Sequence, residues 1–147
     1  DLIEKNKIPT NKIKFYNYGL FTENGNFKFY KPKNEKYVSH SIIEGIASYN
    51  YINVEMKTLK TIMKELNHTK IDLLKLDIEG CECDILEQII NENIYPKYIA
   101  VDFDLGWTSN KNIQNKERCY DIINLLKKNN YKILHNMGPD YSFVRMV

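Results

Sequence analysis

The sequence predicts an α/β fold built around neighbouring parallel strands. An apolar run at 71–78 leads through Gly80 into a helix whose apolar pairs recur at 85–86 and 89–90. A second apolar run, 97–105, follows that helix and also ends in carboxylates. Because a right-handed crossover lays two such strands side by side and parallel, we expect their acidic ends to share one rim of the sheet.

Length and composition limit the class of protein. With 147 residues, 43% of them hydrophobic and 27% charged, the chain suits a single domain with a real core. The net charge of +2 and the lack of a basic block argue against a nucleic-acid partner. We expect no membrane span and no signal peptide, and three cysteines cannot form a closed disulfide set. These features favour the cytoplasm, although the compartment and the oligomeric state stay open.

The first elements in chain order are short. Residues 12–18 predict a strand that leads into the glycine after it. An Asn-Gly pair at 24–25 separates two alternating stretches, 18–21 and 26–30. This arrangement predicts a β-hairpin.

Hydrophobic periodicity predicts the remaining elements. Residues 51–56 predict an edge strand, and 57–67 predict a helix. Another helix is predicted at 116–128, followed by two strands at 131–134 and 141–147 with a loop between them. Because that loop is too short for a crossover helix, the two strands must pair antiparallel. The positions expected in the core are Leu59, Ile62, Met63 and Leu66 in the first helix and Cys119, Ile122, Ile123, Leu125 and Leu126 in the last.

The stretch 71–82 contains charged residues within its apolar run. Lys75 and Asp77 lie on one face of the predicted strand, roughly 6.6 Å apart, so their side chains can meet. Strands of a parallel sheet are buried on both faces, so we expect a buried ion pair whose members depend on each other. Beyond the strand, Asp77, Glu79, Glu82 and Asp84 gather around one helix start. Open α/β sheets bind ligands at that end of their strands.

The segment K-L-D-I-E-G-C-E at 75–82, preceded by I-D-L-L at 71–74 and followed by Ile85-Leu86, resembles the hallmark of the FkbM-type methyltransferases. The family pattern is I-D-L-L-K-I-D-x-E-G-x-E. The resemblance extends more weakly from about residue 11 to residue 147. It implies a Rossmann-like methyltransferase sheet with an antiparallel last strand. It also implies S-adenosylmethionine as cofactor and O-methylation of a sugar or small-molecule hydroxyl.

The resemblance also implies catalytic residues. Asp77 would be the base or the group that orients the acceptor hydroxyl at the tip of the strand. Glu79 and Glu82 match the other two acids of the pattern, and they would hold substrate hydroxyls or shape the turn. Favourable electrostatics at a helix start is the alternative role for both glutamates.

The expected cofactor contacts are Asn17, Tyr18 and Gly19, which would approach the adenine, together with Asp77. Nucleotide-type cofactors need a glycine-rich turn and an acidic residue for the ribose, whereas every glycine in this sequence is isolated. We therefore expect 1–147 to be a single partial methyltransferase domain, incomplete at its N-terminus. Such a domain would bind S-adenosylmethionine poorly by itself.

Two other functions stay open from the sequence. Asp77, Glu79, Asp102 and Asp104 on one rim could bind Mg²⁺ in a hydrolase. Alternatively, the fold could be a non-catalytic remnant that acts as a binding module. The three histidines and the Cys-x-Cys pair at 81–83 do not have the spacing of metal ligands, so we predict no structural metal.

Overall fold

The structure is a computed structural model that describes residues 12–31, 50–78, 80–103 and 113–146, the side chains of 113–115 excepted. These residues form two sheets and three helices, which confirms the α/β class. The elements in chain order are β1 (Gly19–Leu20), β2 (Gly25–Tyr30), β3 (Tyr51–Lys57), α1 (Leu59–Glu65), β4 (Leu73–Leu76), α2 (Glu82–Asn91), β5 (Tyr98–Asp102), α3 (Ile113–Lys128), β6 (Tyr131–Met137) and β7 (Asp140–Arg145).

The larger sheet has the strand order β4-β5-β7-β6. β4 and β5 are parallel, with Leu73 opposite Tyr98 and Leu76 opposite Val101, as the apolar runs predicted. β7 is antiparallel to both of its neighbours, β5 and β6. The predicted antiparallel ending is therefore confirmed, and β7 is the one reversed strand of this sheet.

Helices α2 and α3 pack on one face of this sheet and share a single hydrophobic core with it. Burial along β4 alternates, because Leu74 and Leu76 point into that core while Leu73 is 60% exposed. Burial of β4 on both faces was thus a wrong expectation for the described residues. The most deeply buried side chains include Leu76, Ile85, Leu86, Ile89, Ile99, Val101, Ile122, Leu126 and Phe143.

The smaller sheet has the order β1-β3-β2, and it corrects three predictions. Residues 12–18 are not a strand, since β1 comprises only Gly19 and Leu20. β1 and β2 do not form a hairpin with each other, because β1 pairs parallel and β2 antiparallel with β3. β3 is consequently a central strand and not an edge strand.

The Asn-Gly pair explains why the hairpin prediction failed. The side-chain oxygen of Asn24 accepts the backbone N–H of Thr58 at 2.9 Å, which ties the turn to the start of α1. All six residues of β2 then pair with β3, from Gly25 opposite Met56 to Tyr30 opposite Tyr51. A full ladder with β3 satisfies more backbone groups than the two residues of β1 could.

The helix predicted at 57–67 is confirmed as α1, and the hydroxyl of Thr58 caps it by accepting the N–H of Thr61 at 3.2 Å. Of its predicted core stripe only Leu59 is buried, and the other three positions are half-buried. The chain then turns through Asn67, which has φ 55°. Asn93 and Asn130, with φ values of 58° and 68°, do the same after α2 and α3. Asparagine tolerates this left-handed conformation better than most residues.

The last two strands are longer than predicted. β6 extends through His135 to Met137, past an irregularity between Ile133 and His135, so the predicted loop at 135–140 shrinks to the turn Gly138-Pro139. Pairing of Met137 with Asp140 closes this hairpin. The tight turn brings Asp140 onto the rim formed by the ends of β4 and β5.

Candidate functional site

Three aspartates line one rim of the larger sheet. The last residue pair of the β4–β5 ladder is Leu76 with Val101, and the same register continued by one residue places Asp77 beside Asp102. On the other side of β5, Asp102 pairs with Asp140 of β7. Neighbouring strands lie about 4.8 Å apart, so the three residues lie side by side at this end of the sheet. The predicted meeting of the ends of β4 and β5 is confirmed.

Lys75 and Asp77 form an ion pair in which Nζ lies 3.2 Å from Oδ2. The predicted contact is confirmed, but the predicted burial is wrong, because the two side chains are 51% and 59% exposed. The Lys75 ammonium also donates to the carbonyl oxygen of Leu76 at 3.1 Å. An exposed pair of this kind contributes at most about 1 kcal/mol to stability. Its position leaves the Asp77 carboxylate open to a ligand.

Glu82 holds the turn between β4 and α2. Its carboxylate oxygens accept the backbone N–H of Ile78 at 2.9 Å and that of Gly80 at 3.0 Å. The side chain is buried, with 5% of the residue exposed. Gly80 has φ 122°, a conformation that other residues adopt only with strain. Of the roles considered for Glu82, the structure therefore shows that of shaping the turn.

The other acids of this region have different positions. Asp84 lies 3.5 Å from the Arg118 guanidinium and so points toward α3. Glu79 and Asp104 lie outside the residues that the structure describes. In the described ranges 12–31, 50–78, 80–103 and 113–146, no three His, Cys, Asp or Glu side chains group closely enough to hold a metal ion.

The predicted cofactor contacts lie at the start of the smaller sheet. The ring of Tyr18 faces the Lys57 ammonium, with 4.7 Å from Nζ to the ring centroid. The Tyr18 hydroxyl is buried and has no hydrogen-bond partner in the described part of the chain. Burial raises the pKa of this phenol, and the opposing effect of the nearby Lys57 ammonium is smaller. Buried polar groups in folded proteins are usually hydrogen-bonded, so this hydroxyl is an exception that needs an explanation.

The segment after Tyr18 connects the smaller sheet to α2. The side-chain amide of Gln88 donates to the carbonyl oxygen of Thr22 at 2.9 Å. Leu20 and Phe21 pack against the hydrophobic core that also contains α2. The segment 19–22 is thus held against the helix that begins at Glu82.

Sequence reasoning missed three features here. Asp140 was assigned to a loop, and only the strand pairing of β7 brings it to the rim. Arg118 was not singled out, yet it bridges α3 to Asp84 and Glu87 of α2. Cys83 and Cys119 lie far apart in the chain, but their sulfur atoms are 3.6 Å apart. Of the residues in these contacts, only Cys119 was predicted to point inward, from the helical spacing of 116–128.

Arg118 lowers the pKa of Glu87 by hydrogen bonding to its carboxylate. A lowered pKa stabilises the fold above the ordinary value near 4.5, and that contribution is lost as the pH falls through the folded-state pKa. Because the side chains of Arg118 and Glu87 are 37% and 41% exposed, solvent screens the contact and we expect an effect within about 1 kcal/mol. Urea unfolding at pH 6 and pH 3 should show a smaller pH dependence in Glu87→Gln than in the parent.

The control for this prediction is Glu23→Gln, which removes an exposed carboxylate from the loop before β2. It should leave the difference in unfolding free energy between pH 6 and pH 3 unchanged. An equal response of the two variants would contradict a specific contribution from the Arg118–Glu87 contact.

Among the described helices, none combines the length and apolar character that crossing a membrane requires. Comparison with protein families gave one finding: residues 7–133 match the family described as "Methyltransferase FkbM domain". No curated protein and no solved structure matches the chain at a significant level. The matched range includes β1 to α3 and the first residues of β6. It therefore contains residues 77–81 between β4 and α2, which we call the acidic turn.

Proposed function

Because the chain belongs to the FkbM methyltransferase family, we propose that it functions as an S-adenosylmethionine-dependent methyltransferase. Its methyl acceptor is a hydroxyl of a sugar or another small molecule. The observation that carries the proposal is Asp77, an exposed carboxylate at the tip of β4 inside the matched range. We also propose that the sheet β4-β5-β7-β6 is part of a Rossmann-like methyltransferase sheet. Its single reversed strand, β7, supports this proposal.

Asp77 is proposed to orient the acceptor hydroxyl and take its proton. S-Adenosylmethionine supplies, when bound, a methyl group that an oxygen nucleophile can attack in line. A carboxylate that holds the hydroxyl in place and accepts its proton lowers the barrier. The ion pair with Lys75 restricts the carboxylate of Asp77 while leaving it accessible. Asp140 on the same rim is exposed and offers a further acceptor for substrate hydroxyls.

Glu82 is proposed as a positioning residue and not as a direct substrate contact. Both of its carboxylate oxygens already accept backbone N–H groups of the turn. By fixing Ile78 and Gly80, it fixes the direction in which β4 delivers Asp77. Glu79 lies within this turn in the sequence, and we propose it as a ligand for a substrate hydroxyl.

Tyr18 is the described residue that best fits the nucleoside part of the cofactor. Its buried hydroxyl without a partner could donate to a ring nitrogen or accept from an amino group. Gly19 follows without a side chain, and Asn17 precedes with an amide that offers both a donor and acceptors. The proposal therefore assigns Asn17, Tyr18 and Gly19 to the adenosine and Asp77 to the reacting end.

Calorimetric titration of the full-length protein with S-adenosylmethionine tests this assignment. We expect Tyr18→Phe to weaken binding about 5- to 10-fold, the value of one neutral hydrogen bond. Tyr16→Phe is the matched control, because Tyr16 is a neighbouring exposed tyrosine whose affinity effect should be negligible. Absence of binding heat in the parent would reject the cofactor, whereas equal affinities of parent and Tyr18→Phe would reject only the role of Tyr18.

A further inference from the structure

Two cysteine side chains meet between the helices that cover the larger sheet. Cys83 lies in the first turn of α2 and Cys119 in α3, and their sulfur atoms are 3.6 Å apart. Both are free thiols, and neither has a place in the proposed methyl transfer. A disulfide requires a sulfur–sulfur distance of about 2.0 Å, so the two sulfur atoms would have to approach each other from 3.6 Å.

We propose that Cys83 and Cys119 form a reversible disulfide that links α2 to α3 when the protein meets a hydroperoxide. The pair bridges two helices within one core, so the bond forms without bringing new elements together. Cys83 directly follows Glu82, the residue that holds the acidic turn. The modification would therefore fix the first turn of α2 against α3.

The two thiols differ in their environments. Cys83 is half-buried, while Cys119 is 2% exposed. An oxidant that reaches the Cys119 sulfur therefore has to be about as small as water. The hydrogen bond between the thiols lowers the pKa of Cys119 and raises that of Cys83. Nearby Arg118 also favours a thiolate at Cys119. Either thiol can donate this hydrogen bond, so each of the two sulfurs can be the one that reacts first.

The chemistry balances with hydrogen peroxide as the oxidant. The thiolate of one of the two cysteines attacks one peroxide oxygen, the O–O bond breaks, and hydroxide leaves, giving a sulfenic acid. The sulfur of the other cysteine then attacks the oxidised sulfur, and the S–O bond breaks with loss of a second hydroxide. The protons released by the two thiols convert both hydroxides to water. Each sulfur is oxidised by one electron equivalent, and each peroxide oxygen is reduced by one.

Cys81 serves as an internal comparison. It lies two residues before Cys83 and is buried, and burial raises the pKa of its thiol to about 12. A thiol held in its protonated form is a poor nucleophile toward peroxide. We therefore expect Cys81 to stay reduced under conditions that link Cys83 to Cys119.

Peptide mapping after peroxide treatment of the folded full-length protein tests the proposal without variants. Cleavage after glutamate places Cys83 in the peptide 83–87, Cys81 in the peptide 80–82, and Cys119 in the peptide that begins at Arg118. The expected result is a link between 83–87 and the Arg118 peptide, with a mass loss of about two hydrogens that dithiothreitol reverses. A link through Cys81, a link between two molecules, or three free thiols would each overturn the proposal.

The stability of the oxidised form provides a second measurement. A disulfide that closes a loop of 36 residues should raise the melting temperature by roughly 5 to 15 °C. Cys81→Ala should retain this rise, whereas Cys83→Ala and Cys119→Ala should lose it. Where a cysteine variant fails to fold, the peptide map of the parent decides alone. An unchanged melting temperature in a protein whose map shows the link would contradict the proposed fit of the bond to the native fold.

Discussion

Asp77→Asn is expected to lower the rate of methyl transfer about 100- to 10,000-fold, because asparagine can still orient a hydroxyl but cannot take its proton. The substitution keeps the size of the side chain and removes only the charge. Asp77 is exposed, so the fold should lose no more than about 1 kcal/mol with its ion pair to Lys75. The measurement is S-adenosylhomocysteine formation by the full-length protein with a panel of sugars and small alcohols.

The matched control is Asp72→Asn at the opposite end of the same strand. Asp72 is an exposed carboxylate that pairs with Lys70 at 3.7 Å, so it offers the same change of charge away from the rim. Its variant should transfer methyl groups at the parent rate. If Asp77→Asn kept the parent rate while the parent was active, Asp77 would not be the base.

Lys75→Met separates the effect of the ion pair from that of the carboxylate. If Lys75 only restricts the position of Asp77, the variant should lose about 10-fold or less in rate. A loss as large as that of Asp77→Asn would assign the essential charge to the ammonium. The fold of each variant is checked by its melting temperature.

Glu82→Gln is expected to destabilise the fold by about 2–4 kcal/mol. The buried carboxylate accepts two backbone N–H groups of a partly buried turn, whereas an amide offers one oxygen and turns its NH₂ group toward the other donor. One partly buried N–H would then lose its partner, and each hydrogen bond to a charged acceptor contributes about 1.5–3 kcal/mol. Urea unfolding monitored by circular dichroism gives this free energy directly.

Glu117→Gln is the control for this measurement, because Glu117 is an exposed acid on α3. It should change the unfolding free energy by less than about 0.5 kcal/mol. Where Glu82→Gln is folded at the assay temperature, methyl transfer should also fall, since the turn positions Asp77. A variant of undiminished stability would mean that water or neighbouring groups replace the carboxylate in the turn.

Much of the larger sheet could be predicted from local pattern. The alternation and helical spacing around 71–90 predicted β4, the turn and α2, and the second apolar run predicted β5. Periodicity repeats within one element and so needs no knowledge of distant residues. The short connection between the last two strands similarly predicted their antiparallel pairing.

The wrong predictions concern contacts between segments that are distant in the sequence, such as the choice of a strand's hydrogen-bonding partner. An Asn-Gly pair predicts a hairpin, but β2 found a complete ladder on β3 and Asn24 bonded to Thr58. The exposure of Lys75 has a similar cause, since periodicity indicates which residues share a face but not what covers that face. Strand partners and covered faces depend on the total free energy of packing, which no single segment contains.

The sequence by itself determined the strand–turn–helix with Asp77 at its tip, because the order of apolar, acidic and glycine residues specifies that local geometry. Only the tertiary structure decided that Asp140 would join Asp77 and Asp102 on one rim, and that Cys83 would meet Cys119. Those contacts join residues tens of positions apart. Their formation depends on how β7 and α3 dock onto the core, and docking is set by side-chain packing across the whole fold.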